Sequence, residues 1–164
     1  MEGERAYKGV DTYAAIAQEF GHLFPQLKAK CEFAIAGRGT ERDVAALRGE
    51  GLRVFSNVSD DEMRDLYAAA DIYMNFSRWE GYNLGIGQAL AMGLHVIASD
   101  IDAHREFPIT RTNSLLVACQ ELAKFLDSRD QLVRKPWLES WDGPLTRLVD
   151  IIKADLAAAE LPWL

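Results

Sequence analysis

Residues 77–100 run SRWEGYNLGIGQALAMGLHVIASD, preceded at 71–76 by DIYMNF. The apolar, β-rich runs 71–76 and 95–98 (HVIA) read as strands, and residues 83–92 between them as a helix. Strand, turn, helix, strand is the repeating unit of an α/β domain with a parallel sheet. The glycine-containing turn at 80–87 falls at the C-terminal edge of that sheet, where open α/β sheets bind their ligands. Backbone N–H groups of Tyr82, Asn83 and Leu84 stand at the start of the helix and face any anion bound there.

Working upstream, Ser59-Asp60-Asp61-Glu62 is a capping box with three carboxylates in the first helical turn. Met63, Leu66, Tyr67 and Ala70 follow along one face of that helix. Residues 52–56 and 31–36 (CEFAIA) read as further strands, and Thr40 opens a helix between them. Tyr13, Ile16, Phe20 and Leu23 form the apolar stripe of a first helix that stops before Pro25. Downstream, a short strand near 114–117 and a helix from Glu121 are expected. A closing helix at 144–160 is opened by Pro144 and carries Leu145, Leu148, Val149, Ile152 and Leu156 on its apolar face.

The whole, residues 1–164, makes a single α/β domain, a Rossmann-like open parallel sheet flanked by helices. Its first strand is expected to be missing, because residues 1–7 (MEGERAY) are too polar for a buried strand. In the Rossmann order the first strand is central. Its loss leaves two unpaired edges in mid-sheet. Either a gap closed by another segment or copy, or direct pairing of 31–36 with 71–76, is expected.

At 164 residues the chain is long enough to bury a substantial core, with 49% apolar and 26% charged residues, an ordinary globular balance. A net charge of −7 argues against nucleic acid as the partner, although one diphosphate needs only two or three donors. Cys31 and Cys119 form no CxxC and read as buried thiols of a reducing compartment. No apolar run approaches a membrane span and no signal pattern opens the chain, so a cytoplasmic domain is expected.

The motifs, taken together, resemble the nucleotide-sugar-binding half of GT-B glycosyltransferases of the family-4, or "glycosyl transferases group 1", type. Ser77, Glu80, Gly81, Leu84, Ala89, Ala91, Gly93, Val96, Ile97, Ala98 and Ser99 fit that family's S…E-G-F-G-L…E-A-x-A-x-G-x-P-V-I-A-S stretch, with Tyr82 where it usually has Phe. Asn83 replaces a glycine, His95 a proline and Gln88 the second glutamate. Tyr7-Lys8-Gly9-Val10-Asp11, the IAGRG at 35–39, residues 59–77 and Ser140-Trp141-Asp142 resemble the family's other segments in the same order. Residues 105–136 match poorly.

The resemblance implies a retaining, metal-independent transfer of sugar from a nucleotide diphosphate sugar to a glycan or lipid acceptor, with no cofactor. The acceptor belongs to an N-terminal domain that this chain lacks, and the complete enzyme could sit peripherally at the inner face of a membrane. Glu80 becomes the catalytic carboxylate at the donor sugar. Lys8 and Arg5 supply cations to the diphosphate, although Arg5 is closer to the lysine than the family's arginine. Asn57 and Val58 hold the base through their backbone. Gly81, Tyr82, Asn83 and Leu84 meet the phosphates, and Gln88, a turn into the helix, reaches the ribose hydroxyls. Trp79 is expected to pack beside the site, and Glu106 to support it from behind. The alternative is a non-catalytic nucleotide-sugar-binding or interaction module of the same fold, which Gln88 favours.

Two lookalikes fall away. Asp100-Ile101-Asp102 is a DxD, but after a Rossmann-type strand it reads as a loop aspartate pair. Gly37-Arg38-Gly39-Thr40-Glu41-Arg42 begins like a dinucleotide fingerprint but has Arg42 at its third glycine, which makes an NAD-type oxidoreductase a poor fit. His22, His95 and His104 lack metal-ligand spacing and read as structural.

Overall fold

The computed structural model describes residues 6–128 and 134–137. Arg5, Ser140-Trp141-Asp142 and the expected helix at 144–160 lie outside the described residues. Helix α1 (Val10–Leu23) buries Ala14, Ile16, Ala17 and Phe20, and stops at Phe24. Pro25 then opens a one-turn helix, α2 (Pro25–Lys28), at the position where its missing N–H costs nothing. Strand β1 (Ala34–Gly37) begins later than the apolar run suggested, leaving Phe33 buried ahead of it and Cys31 half-buried outside it. Helix α3 (Glu41–Gly49) starts from a capping box between Thr40 and Asp43, and leads to β2 (Arg53–Ser56).

Helix α4 (Asp60–Ala69) carries the foreseen Ser59–Glu62 box, with both reciprocal bonds formed. Hydrogen bonds from Ser59 hold the Glu62 carboxyl below its ordinary pKa. Next come β3 (Ile72–Asn75), α5 (Leu84–Ala91) and β4 (His95–Ala98). Gly93 ends α5 with φ 73°: its N–H reaches the carbonyl of Leu90, and that of Leu94 reaches Ala89, a Schellman motif that favours glycine.

The strand expected near 114–117 is instead the first turn of α6 (Leu115–Ser128), and the strand is β5 (Thr110–Arg111). The apolar triplet Leu115-Leu116-Val117 suits either state by itself. Ala118, Cys119, Leu122 and Ala123 decide it, because at helical spacing they form the face that is buried with α1. The Val117 N–H also meets the Ser114 hydroxyl oxygen at 3.4 Å at the helix start.

All described pairings are parallel, but they form two sheets, β1-β2 and β3-β4-β5. Direct pairing of β1 with β3 does not occur. Among the described residues each keeps an edge with no strand beside it, and no described segment closes the gap between them. Strand β4 is covered on both faces. Ile97 joins the core of α1 and α6, whereas Val96 and Ala98 join that of α5 and Phe107, as the alternation of a strand requires. His95, where the resemblance expects proline, stacks on Phe125 of α6 at 4.9 Å, and burial lowers its pKa.

Candidate functional site at the end of the three-stranded sheet

The cluster forms where the start of α1 meets the end of β3. A 3-10 turn, Ala6–Lys8, is followed by Gly9 with φ 64°. A Cβ on Gly9 would lie 1.8 Å from the Phe76 carbonyl oxygen, so only glycine lets the chain run this close to the strand end. The Arg78 N–H donates to the Tyr7 carbonyl at 2.6 Å. Arg78 also pairs with Asp11 at 2.6 Å and thereby lowers the Asp11 pKa.

This docking delivers Lys8 to Glu80, residues that are 72 positions apart, with Nζ 2.8 Å from Oε1. The Ser77 hydroxyl donates to the same oxygen at 2.7 Å. Glu80 is nearly enclosed, with its side chain 11% exposed, whereas that of Lys8 is 46% exposed. A carboxylate pinned through one oxygen, with a half-exposed ammonium against it, is a site able to meet both hydroxyls and phosphate oxygens.

Asn83 caps α5: its Oδ1 accepts from the Ile86 N–H at 3.2 Å. The N–H groups of Leu84 and Gly85 have no partner within the helix, by the geometry of any helix start. A Cβ on Gly85 would lie 2.5 Å from the Tyr73 hydroxyl, so the first turn is pressed onto β3. The cap is held from behind by His104. Its Nδ1 lies 2.8 Å from the Ser99 carbonyl, which can only accept, so Nδ1 carries the proton. Nε2, at 3.0 Å, is then the acceptor for the Asn83 amide. Burial lowers the His104 pKa and keeps this neutral form.

Gln88 is exposed, and its Oε1 lies 3.4 Å from the Tyr67 hydroxyl, which is equally far from the Gly85 carbonyl. Asn57 and Val58 do not join this cluster. They follow β2 in the other sheet, Asn57 with φ 57° and its N–H on the Gly37 carbonyl at 3.0 Å. Trp79 does not pack beside the site but is 69% exposed, because the Arg78 and Glu80 bonds fix the turn with its indole outward. Glu106 is exposed as well, so any support from this loop comes from His104.

A cleft of about 330 Å³ opens at the strand ends and is lined by Thr12, Ser77, Arg78, Ser99 and Asn113, among others. Asn113 clasps the Asp100 backbone through its side-chain oxygen and amide, at 3.0 and 3.2 Å. The DxD aspartates face Arg105 and Arg111. Lys8, Glu80 and the α5 turn come together as the resemblance implies, whereas no motif foreshadows the Asn83–His104 bond. The one available signal was a cap-forming asparagine where the resemblance expects glycine.

The chain is 32% identical, over 77 residues, to the lipopolysaccharide core biosynthesis mannosyltransferase LpsB of Rhizobium meliloti (strain 1021), covering 42% of this chain and 22% of that protein. The crystal structure of WaaG, a glycosyltransferase involved in lipopolysaccharide biosynthesis, superposes with a TM-score of 0.62 at 20% identity, over 79% of this chain and 37% of that one. The pneumococcal O-GlcNAc transferase GtfA, solved with UDP and GlcNAc, gives 0.53 at 20% identity, over 77% and 27%. The chain therefore has the α/β fold of one half of a GT-B molecule and spans between 22% and 37% of these relatives' length. The family model for glycosyl transferases group 1 matches residues 7–135, from the turn that delivers Lys8 to the segment beyond α6, and the chain belongs to that family.

Proposed function

We propose that this cluster is the donor site of a glycosyltransferase, which takes a nucleotide diphosphate sugar and passes the sugar to a glycan or lipid acceptor. The observation that carries the reading is the convergence of Lys8, Glu80 and the first turn of α5 at one strand end. As the bond between sugar and diphosphate breaks, negative charge grows on the departing phosphate. In this reading Lys8 and the amides from Gly81 to Leu84 stabilise that charge, and such fixed donors usually lower a barrier more than any other device. Glu80 stands at the sugar, Gln88 at the ribose, and the backbone of Asn57 and Val58 at the base, with Arg5 a second cation.

The transfer is retaining and needs no metal or other cofactor in this reading, since basic side chains and N–H groups balance the phosphates. Binding must exchange the Lys8–Glu80 ion pair for contacts to ligand, which sets Glu80 free to accept from sugar hydroxyls. The acceptor is assigned to the other half of a GT-B molecule. A second reading, a nucleotide-sugar-binding module without transfer, is favoured by Gln88, whose oxygen is turned to Tyr67 rather than outward.

Calorimetry with UDP, GDP, ADP and NAD tests the donor site. One of the three diphosphates is expected to bind and NAD not to. Lys8→Ala is expected to weaken that binding by roughly tenfold or more, the worth of a charge-assisted hydrogen bond. Binding of NAD in preference to all three diphosphates, or of none of the four, would sink the reading.

A further inference from the structure

Four of the five buried polar or charged residues among those described, Ser77, Asn83, Ser99 and His104, belong to one hydrogen-bonded line. The line begins at the Glu80 carboxylate, which accepts from the Ser77 hydroxyl at 2.7 Å. The Ser77 carbonyl accepts from the Ser99 hydroxyl. The Ser99 carbonyl accepts from His104 Nδ1 at 2.8 Å, and Nε2 accepts from Asn83 at 3.0 Å. Asn83 closes the line on the Ile86 N–H at 3.2 Å, the cap of α5. Three separate pieces of chain thus lock together: the turn after β3, the loop after β4 and the start of α5.

Burying polar groups costs free energy unless each is paired, and a fully paired network rigidifies what it joins. Every buried side-chain nitrogen and oxygen among the described residues has a partner. An apolar core would hold the three segments together just as firmly, but it would not fix the direction of a carboxylate or of a cap amide. His104 is the part that cannot be exchanged freely. It needs one donor toward Ser99 and one acceptor toward Asn83, about the width of an imidazole apart, and only its neutral Nδ1–H form supplies both.

We propose that His104 is a positioning residue of the donor site: in its neutral Nδ1–H form it couples the phosphate-facing turn of α5, through Asn83, to the sugar-facing carboxylate of Glu80, through Ser99 and Ser77. The assignment rests on the donor-site reading above, and His104 itself touches no ligand. It also accounts for Asn83 in place of glycine: glycine would cap α5 almost as well, but it would leave His104 Nε2 buried without a donor.

The groups facing His104 are Ser99 and Asn83, with the Glu80 carboxylate and the Arg111 guanidinium acting on it electrostatically. A proton added at Nε2 would meet the Asn83 amide head-on. Asn83 could answer only by turning its oxygen inward, and so surrendering the Ile86 cap.

The test combines titration calorimetry and nitrogen-15 NMR of the imidazoles on the same chain, with UDP, GDP and ADP as probes. The spectrum of the free protein is expected to show His104 protonated at Nδ1 and bare at Nε2. His104→Leu is expected to weaken the diphosphate that binds by about tenfold, one hydrogen bond's worth, while His104→Gln, which keeps a donor and an acceptor, recovers most of it. Asn83→Gly should weaken binding similarly, and the double variant Asn83→Gly/His104→Leu no further than either alone, since both cut one line. An Nε2–H tautomer, or variants that melt earlier yet bind as tightly as the parent, would overturn the assignment and leave the donor site standing. Failure of the parent chain to bind any of the three diphosphates would remove the donor site and this role together.

Discussion

Gln88 is the residue at which the donor-site reading is most exposed to test. It stands where the family resemblance expects a glutamate, and its oxygen already lies near the Tyr67 hydroxyl, at 3.4 Å. A carboxylate accepts two ribose hydroxyl bonds, whereas an amide accepts through one oxygen. Charge-assisted bonds are worth ~1.5–3 kcal/mol against ~0.5–1.5 for neutral ones. Gln88→Glu is therefore expected to tighten nucleotide diphosphate binding by about 1 kcal/mol, roughly fivefold, and Gln88→Ala to weaken it by about one neutral bond. Calorimetry reads both. Unchanged affinity in Gln88→Ala makes Gln88 a bystander and strengthens the non-catalytic reading. Glu80→Gln in the complete enzyme belongs to the other end of the ligand and should cost transfer rate more than nucleotide affinity.

Helix α4 shows what local sequence decides by itself. Ser59, Glu62 and the apolar positions after them specified its start, and the structure forms both bonds of the box. Ser59→Ala removes the hydroxyl that accepts from the Glu62 N–H, and is expected to cost about 1 kcal/mol, a Tm lower by about 2–4 °C. Thermal melting checks this, and a Tm unchanged within error would show that packing of Tyr67 onto α5 carries the helix unaided. Boundaries were legible wherever chemistry marks an end: Thr40, Ser59 and Pro25. They were not legible at 114–117, where three apolar residues fit a strand or a helix and only the distant face of α1 chooses. The site divides the same way. Lys8, Glu80 and the α5 turn follow from motif and position, whereas the Asn83–His104 bond joins residues 21 positions apart in sequence and has no local signature. The outward Trp79 is likewise set by bonds of its two neighbours.

At the scale of the whole molecule, the division into two sheets sets where the structure opens first. The Asp71 and Asn75 carbonyls accept from His95 and Ser99 on the β4 side, so in a parallel ladder Ile72, Met74 and Phe76 turn their backbone groups the other way. On β1, Phe33 and Gly37 accept from the Arg53 and Asn57 N–H groups, so Ala34 and Ala36 also face away from their partner strand. Two of these outward carbonyls have company from α1 and its approach. Ala34 accepts from the Tyr13 hydroxyl at 2.8 Å, and Phe76 is overlain by Gly9. The outward N–H groups of Ala36, Ile72 and Met74 have no strand beside them among the described residues. Amides held in a ladder exchange only when the structure opens, whereas edge amides exchange by small local motions. Ala36, Ile72 and Met74 are therefore expected to exchange orders of magnitude faster than Ile97 and Ala98 of β4, whose strand lies between two others. Hydrogen exchange followed residue by residue measures this directly. Protection of the three edge amides equal to that of β4 would mean that a further strand occupies the gap. Repeating the measurement at several protein concentrations then identifies its source, because a strand lent by a second copy is lost on dilution and one from the same chain is not.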